Sequence, residues 1–462
     1  MMSSMGTPLL LLLLMLVATL QLCLQVQNVG ASRFEGIPDE VIPTSSGYLT
    51  VNETTGATLF YIYYEAQNPE GPLQETPIVL WLQGGPGCSG MVGSFFELGP
   101  WLIGADQQFS ANEYTWNRLY GLLVIDQPVG TGFSVAPSKD DVPTSDEQTA
   151  AQLYIALEAF YTRLGFETRP LYITGESYAG KYVPAIGYYV LEGAAAGTIT
   201  PSFQLKGIAI GNGLTDPILQ IPVYPPAAHY MGLVDLQQKQ ELEVIAEEVV
   251  AAIEEGRYDL AHAGRSRLMS TIYQMSGVAT TLDIRRPVDY YTYPNGSDWL
   301  SPVINSPSFK KALGVHGNVT WEDCTDFVDE AFYNQSMRST KYMVEAIVTK
   351  VPVLLYQGQF DLQDGVASNE AWMRNLNWTE TEKFWSVPRK LWKLNGEIAA
   401  YIRTHETLAH VVVVGAGHLA PADQGLRVQK MLEAWIGGSV GSLGTDSGLL
   451  KAMDGPRKVK KI

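Results

Sequence analysis

The chain has 462 residues, 46% of them hydrophobic and 17% charged, with a formal net charge of −17. That composition excludes a disordered or fibrous chain and leaves room for one large domain with an insertion, or for two domains. So acidic a surface argues against nucleic-acid binding and suits an acidic lumen or the extracellular space.

The first element is not part of the globule. Leu9–Leu20 is almost wholly apolar and has the length of a signal-peptide core, and Val29-Gly30-Ala31 supplies small residues for cleavage after Ala31. Residues 1–31 therefore read as a signal peptide; with no Lys or Arg ahead of the apolar run, an uncleaved anchor is the alternative. No later stretch reaches the roughly 18 apolar residues of a membrane span, so the mature form is read as free of the membrane. Entry into the secretory pathway, ending outside the cell or in a vacuole or lysosome, gives meaning to five glycosylation sequons at Asn52, Asn295, Asn318, Asn334 and Asn377. Of three cysteines, Cys23 lies in the signal. Cys88 and Cys324 then have one pairing available in an oxidising compartment, or stay two buried thiols.

Beyond the signal, Ser46–Gln67 reads as two strands around the turn Asn52–Gly56. Pro77–Leu82, ending at Gln83-Gly84-Gly85-Pro86-Gly87, and Leu122–Asp126 have the unbroken apolar character of buried strands. Thr144 and Glu147 form a capping-box pattern for a helix to about Leu164, with Leu153, Leu157, Phe160 and Leu164 at helical spacing. Short apolar strands follow at Leu171–Thr174, Leu205–Ile210, Val353–Tyr356 and Val411–Val414, and a helix at Lys181–Glu192. Strands alternating with helices predict a mostly parallel sheet covered on both faces, the α/β class. From Gly213 the rhythm breaks, with an acidic helix at Gln237–Ile253 the only clear element. The organisation is thus 32–213 as the first part of the core, 214–340 as an inserted, mainly helical cap, 341–436 as the second part, and 437–462 as a basic, disordered tail.

The chemistry gathers where strands end. In Gly175-Glu176-Ser177-Tyr178-Ala179-Gly180 a serine sits between glycines, with a strand before it and a helix after it, the context of a nucleophile elbow whose second glycine is displaced by one residue. A serine hydroxyl needs a base, and the base an orienting carboxylate, in the chain order Ser, Asp or Glu, His on such a sheet. Of six histidines only His418 directly follows a strand, within Gly415-Ala416-Gly417-His418; taken alone, it could be a loop histidine with no role. Asp361 follows the strand Val353–Tyr356, with Asp364 a nearby competitor. Gly84-Gly85 ends another strand, and its unhindered amides could meet an oxyanion together with that of Tyr178, or the glycines could simply serve a tight turn.

These residues resemble the serine carboxypeptidase family. Trp81-Leu82-Gln83-Gly84-Gly85-Pro86-Gly87-Cys88-Ser89, Phe95-Phe96-Glu97-Leu98-Gly99-Pro100, Asp126–Ser134, Gly175–Gly180, Ile210-Gly211-Asn212-Gly213 and Gly415–Asp423 match its pattern in order, over roughly residues 35–436. The resemblance implies an α/β-hydrolase fold with a helical cap, and removal of C-terminal residues from peptides at acidic pH. It implies Ser177, Asp361 and His418 as the triad, Gly85 and Tyr178 as the oxyanion hole, and Trp81, Gln83, Glu97 and Glu176 as the residues that bind the substrate's carboxylate. It implies one bridge, Cys88–Cys324. It requires no metal and no cofactor; the partners are peptide or protein C-termini, and a homodimer is left open.

Departures mark what is particular to this chain. Gln83 stands where Asn is common. Gln363 and Asp364 replace apolar residues near the pocket for the residue before the scissile bond (P1); an ionised Asp364 there would favour Arg or Lys, unless it caps the helix that follows. Plant relatives that transfer acyl groups from glucose esters tend to carry Asp where this chain has Glu176, which favours peptidase over acyltransferase. A catalytically silent homologue is the third alternative.

Overall fold

The computed structural model describes residues 36–286, 297–317 and 319–443. The expected signal peptide with Cys23, the sequons Asn295 and Asn318, and the tail beyond residue 443 lie outside them. Among the described residues the strands are Ser45–Asn52 (β1), Ala57–Tyr64 (β2), Ile78–Leu82 (β3), Trp101–Ile103 (β4), Phe109–Ala111 (β5), Gly121–Asp126 (β6), Pro170–Glu176 (β7), Gln204–Gly211 (β8), Val353–Gly358 (β9), Lys390–Leu394 (β10), Glu397–His405 (β11) and Leu408–Val413 (β12). β4 and β5 pair apart from the rest. The other ten form one sheet in the order β1-β2-β6-β3-β7-β8-β9-β12-β11-β10. Its six central strands, β6 to β12, run parallel, and an antiparallel pair closes each side.

β3, β6 and β9 are buried along their whole length, as continuous apolar strands must be when both faces are covered. The pleat sends alternate residues to opposite faces. Ile78, Leu80 and Leu82 join Leu123, Ile173, Ile210 and Leu355 in one apolar cluster, here the first face. Val79 and Trp81 join Val124, Leu354, Tyr356 and Val411 in the other, the second face. The helix Asp146–Leu164 (α1) covers the first face through Leu153, Leu157 and Phe160. Its cap is Ser145, whose side chain accepts from the Gln148 amide, one residue later than predicted. The reason is that Gln148, not Glu147, reaches back, its Oε1 accepting from the Thr144 amide at 2.9 Å.

The helix after the elbow, Ala179–Ala196 (α2), is longer at both ends than the sequence predicts. Between β8 and β9 the chain is helical among its described residues. Leu236–Glu254 (α3) matches the acidic helix and opens on a capping box of Asp235 and Gln238. Tyr258–Ser276 (α4) packs against it and is not foreseen, since its apolar positions are too few to show a stripe. Lys341–Val348 (α5) leads into β9, Val366–Met373 (α6) follows it, and Gly425–Ile436 (α7) covers the second face through Val428, Met431, Leu432 and Trp435.

The hairpin β10–β11 is also unforeseen, although Asn395-Gly396, both at positive φ, is a strong hairpin signal. Cys88 and Cys324 form a disulfide, beside backbone bonds from Ser89 N to Asp323 O and Thr325 N to Gly87 O. They tie the loop after β3 to the segment entering the short helix Asp326–Ala331. Among the described residues no helix is long and apolar enough to cross a membrane.

Candidate active site

Ser177 follows β7 immediately and has φ of +61°, a left-handed backbone that is rare for a residue with a side chain. The surroundings enforce it. Its amide donates to Gly211 O at the end of β8, and its carbonyl accepts from Gly180 and Leu214. Gly84 explains why the elbow can sit so tightly on the next strand end: a Cβ there would lie 2.6 Å from Ser177 Cβ and 2.7 Å from the Tyr178 nitrogen. Gly85, at φ of +109°, continues that turn. The Gly84–Gly85 backbone and the Tyr178 amide thus border the serine on adjoining strand ends, while the serine side chain is partly exposed.

His418 lies in the loop after β12 and Asp361 in the loop after β9. His418 Nδ1 and Asp361 Oδ2 are 2.6 Å apart, both side chains buried. Three further donors converge on the same carboxylate. Asn212 Nδ2 reaches Oδ2 at 2.7 Å, and the amides of Gln363 and Asp364 reach Oδ1 at 2.8 and 3.1 Å. Asn212 is itself fixed, its Oδ1 accepting from the Gly358 amide. Burial alone would lower the pKa of the imidazole; the charge and hydrogen bond of Asp361, with Asp364 and Glu97 farther off, more than reverse this and raise it. Among the described residues no hydrogen bond joins the Ser177 hydroxyl to the ring; apo sites often tighten this contact only with substrate present. The segment Thr281–Ile284 braces both loops. Leu282 O accepts from His418 N, Thr281 O from Leu362 N, and Phe360 O from Ile284 N.

Over the second face Trp81, Gln83, Glu97 and Glu176 come together. Trp81 Nε1 donates to Gln83 Oε1 at 2.8 Å, which aims the Gln83 amide at both glutamates, 2.8 Å from Glu176 Oε1 and 3.3 Å from Glu97 Oε1. The two carboxyl groups also face each other, and each Oε2 is buried without a partner. A shared proton is the donor that this arrangement lacks. Burial is the main cause that raises both pKa values, that of Glu97 to about 7; the Glu97 charge adds to the rise at Glu176. The Tyr356 phenol lies on this side too. Gly211 makes room for it, since a Cβ there would meet the ring at 2.4 Å and the hydroxyl at 2.6 Å.

Asp364 takes neither the orienting role nor the capping role that the sequence left open for it. Its side chain makes no hydrogen bond to His418, and α6 opens on Gly365 with no side-chain cap. Asp364 is buried over the first face, where its Oδ2 accepts from Gln363 and its Oδ1 faces Arg265 of α4 at 3.9 Å. Sequence reasoning assigned no role to Asn212, Arg265 or the 281–284 brace. Asn212 had a signal, in its place at the end of an apolar strand beside two glycines. The other two sit in the stretch that showed no strand rhythm.

The serine carboxypeptidase family model matches residues 38–438. The chain belongs to the serine carboxypeptidase family. It is 43% identical to serine carboxypeptidase-like 50 of Arabidopsis thaliana, over 92% of this chain and 94% of that one. It is 32% identical to serine carboxypeptidase S10 family member 1 of Dictyostelium discoideum, over 85% and 93%. It is likewise 32% identical to a venom serine carboxypeptidase of Apis mellifera, over 83% and 82%. In structure it is similar to Kex1(delta)p, a prohormone-processing carboxypeptidase from Saccharomyces cerevisiae, with a TM-score of 0.77, 23% identity and coverage of 86% and 92%. The fold is that of the α/β-hydrolases, and membership makes the protein a serine-type hydrolase.

Proposed function

We propose that this serine carboxypeptidase removes single C-terminal residues from peptides through an acyl-enzyme on Ser177, and works best at acidic pH. The observation that carries the reading is the buried pair Glu97/Glu176, oriented by Gln83 beside a strained serine. Ser177 attacks the last peptide bond, and His418, held by Asp361, takes its proton and passes it to the leaving amine. Water then releases the acyl group by the same base. The Gly85 and Tyr178 amides are the donors for the tetrahedral oxyanion. Trp81, Gln83, Glu97 and Glu176 receive the free carboxylate of the substrate. With a proton on the glutamate pair they donate to that carboxylate; without one they repel it. Since the Glu97 pKa is raised to about 7, acceptance of the substrate is lost as pH rises through neutrality.

The segment 214–340 serves as a cap over this edge. Entry into the secretory pathway through residues 1–31 is supported by the Cys88–Cys324 bridge and by the exposure of Asn52, Asn334 and Asn377 as glycan acceptors. The test is to incubate the protein, and Ser177→Ala beside it, with a blocked dipeptide at pH 5 and, separately, with an acyl-glucose plus an alcohol acceptor. Release of the C-terminal amino acid by the parent alone is expected. Acyl transfer without peptide hydrolysis would replace the reading with that of an acyltransferase.

A further inference from the structure

The site straddles the sheet edge, and its two sides carry different charge. The carboxyl pair that meets the substrate's C-terminus lies with Trp81 and Tyr356 over the second face. Ser177 sits on the edge itself. A peptide bound with its carboxylate at Glu97/Glu176 and its scissile bond at Ser177 must lay its acyl side over the first face, where Tyr178 and Tyr224 belong. On that side the charged pair beside the catalytic aspartate is Asp364 and Arg265, and the buried Lys181 is near enough to act on both. Asp364, three residues from Asp361 and bonded to it through its amide, is only 1% exposed, and Arg265 of α4 covers it at 3.9 Å with its own side chain 18% exposed. The pair is loosely satisfied: Arg265 Nε and Asp364 Oδ1 are buried with no hydrogen-bond partner among the described residues, and the Tyr224 hydroxyl lies beside the guanidinium.

Resting on the proposed peptidase reading, we infer that Arg265 is a specificity-determining residue that occupies, from within the protein, the place a cationic P1 side chain would take on Asp364. An acidic residue beside the catalytic aspartate would by itself select Arg or Lys at P1. Here the negative charge is already answered, so a second guanidinium gains little from Asp364 and meets the like charge of Arg265. The side chain accepted at P1 is therefore uncharged, and the enzyme is expected to prefer Phe over Arg there. Both halves of the pair hold latent selectivity of opposite sign. Removing the guanidinium exposes an anionic floor with a vacancy of its own size, and neutralising the carboxyl leaves a cation at the pocket wall.

The experiment measures kcat/KM for three blocked dipeptides with Phe, Arg or Glu at P1 and a common leaving residue. The enzymes are the parent, Arg265→Ala, Asp364→Asn and the double variant. Arg265→Ala should raise the Arg-to-Phe ratio about tenfold or more. Asp364→Asn should leave the Arg265 charge unanswered, and so raise the Glu-to-Phe ratio and lower the Arg-to-Phe ratio. The double variant should return both ratios to near parent. If the parent instead prefers Arg over Phe, Asp364 meets the substrate directly and the inference is overturned; an unchanged Glu-to-Phe ratio in Asp364→Asn overturns it equally. Because Arg265→Ala leaves a fully buried carboxylate unpaired and can fail to fold, Asp364→Asn, which leaves only the more exposed partner unpaired, decides by itself. A parent that hydrolyses none of the three peptides fails the peptidase reading instead, so the two failures are distinct.

Discussion

Glu176 and Asp361 both lie at the C-terminal edge of the sheet, one closing β7 and the other in the loop after β9, and both are buried. Their neighbours treat them oppositely. Four donors converge on Asp361: the His418 ring, the Asn212 amide and two backbone amides. The Glu176/Glu97 pair has one side-chain amide between its two carboxyls, and each is left with an unpartnered oxygen. Burial acts on both sites, so burial does not separate them; the supply of donors does. A carboxylate given four donors serves as a fixed acceptor that orients an imidazole. A pair starved of donors holds a proton that it can lend to a ligand.

The largest expected effect lies on the donor-rich side. Asp361→Asn should lower kcat about 10⁴-fold with the fold retained, as should Ser177→Ala and His418→Gln. Asp364→Asn should cost far less on a Phe substrate. A near-normal rate for Asp361→Asn would break the comparison at its first term. Taking one donor away, Asn212→Ala should lower kcat about tenfold, the order expected for a hydrogen bond to a charged group. It should also shift the acidic limb of the kcat profile, because the carboxylate that raises the His418 pKa would be held less firmly.

On the donor-poor side the smaller prediction concerns stability. The folded Glu97 pKa is raised from 4.5 to about 7, so the pair binds protons more tightly folded than unfolded. Its contribution is complete below about pH 4.5 and is lost as pH rises through about 7, by at most about 1.4 kcal/mol per pH unit for each proton. Urea midpoints at pH 5 and pH 8 should differ less in Glu176→Gln than in the parent. An equal difference would mean that the pair does not hold its proton.

Much of this was legible in the chain because apolar runs ended on chemistry. Ser177, Asp361 and His418 each stand just past a short hydrophobic strand, and strand ends are read easily from composition. The carboxyl pair was legible only through family resemblance, since no periodicity joins residue 97 to residue 176. What stayed hidden depends on tertiary approach. Arg265 lies on a helix whose apolar positions are sparse, and it reaches the site only because α4 packs against α3 above the first face. The partners of Asp364 could not be read from a loop that allowed capping, orienting and lining alike.

The account rests on the claim that a proton shared by Glu97 and Glu176 admits the substrate's carboxylate, and its most direct test is the pH dependence of KM for one peptide in two forms. For the free acid, KM should rise steeply between pH 5 and pH 8; for the C-terminal amide, which carries no charge, it should change little, and Glu97→Gln should flatten the free-acid curve toward that of the amide. Identical curves for the free acid and the amide would contradict the account.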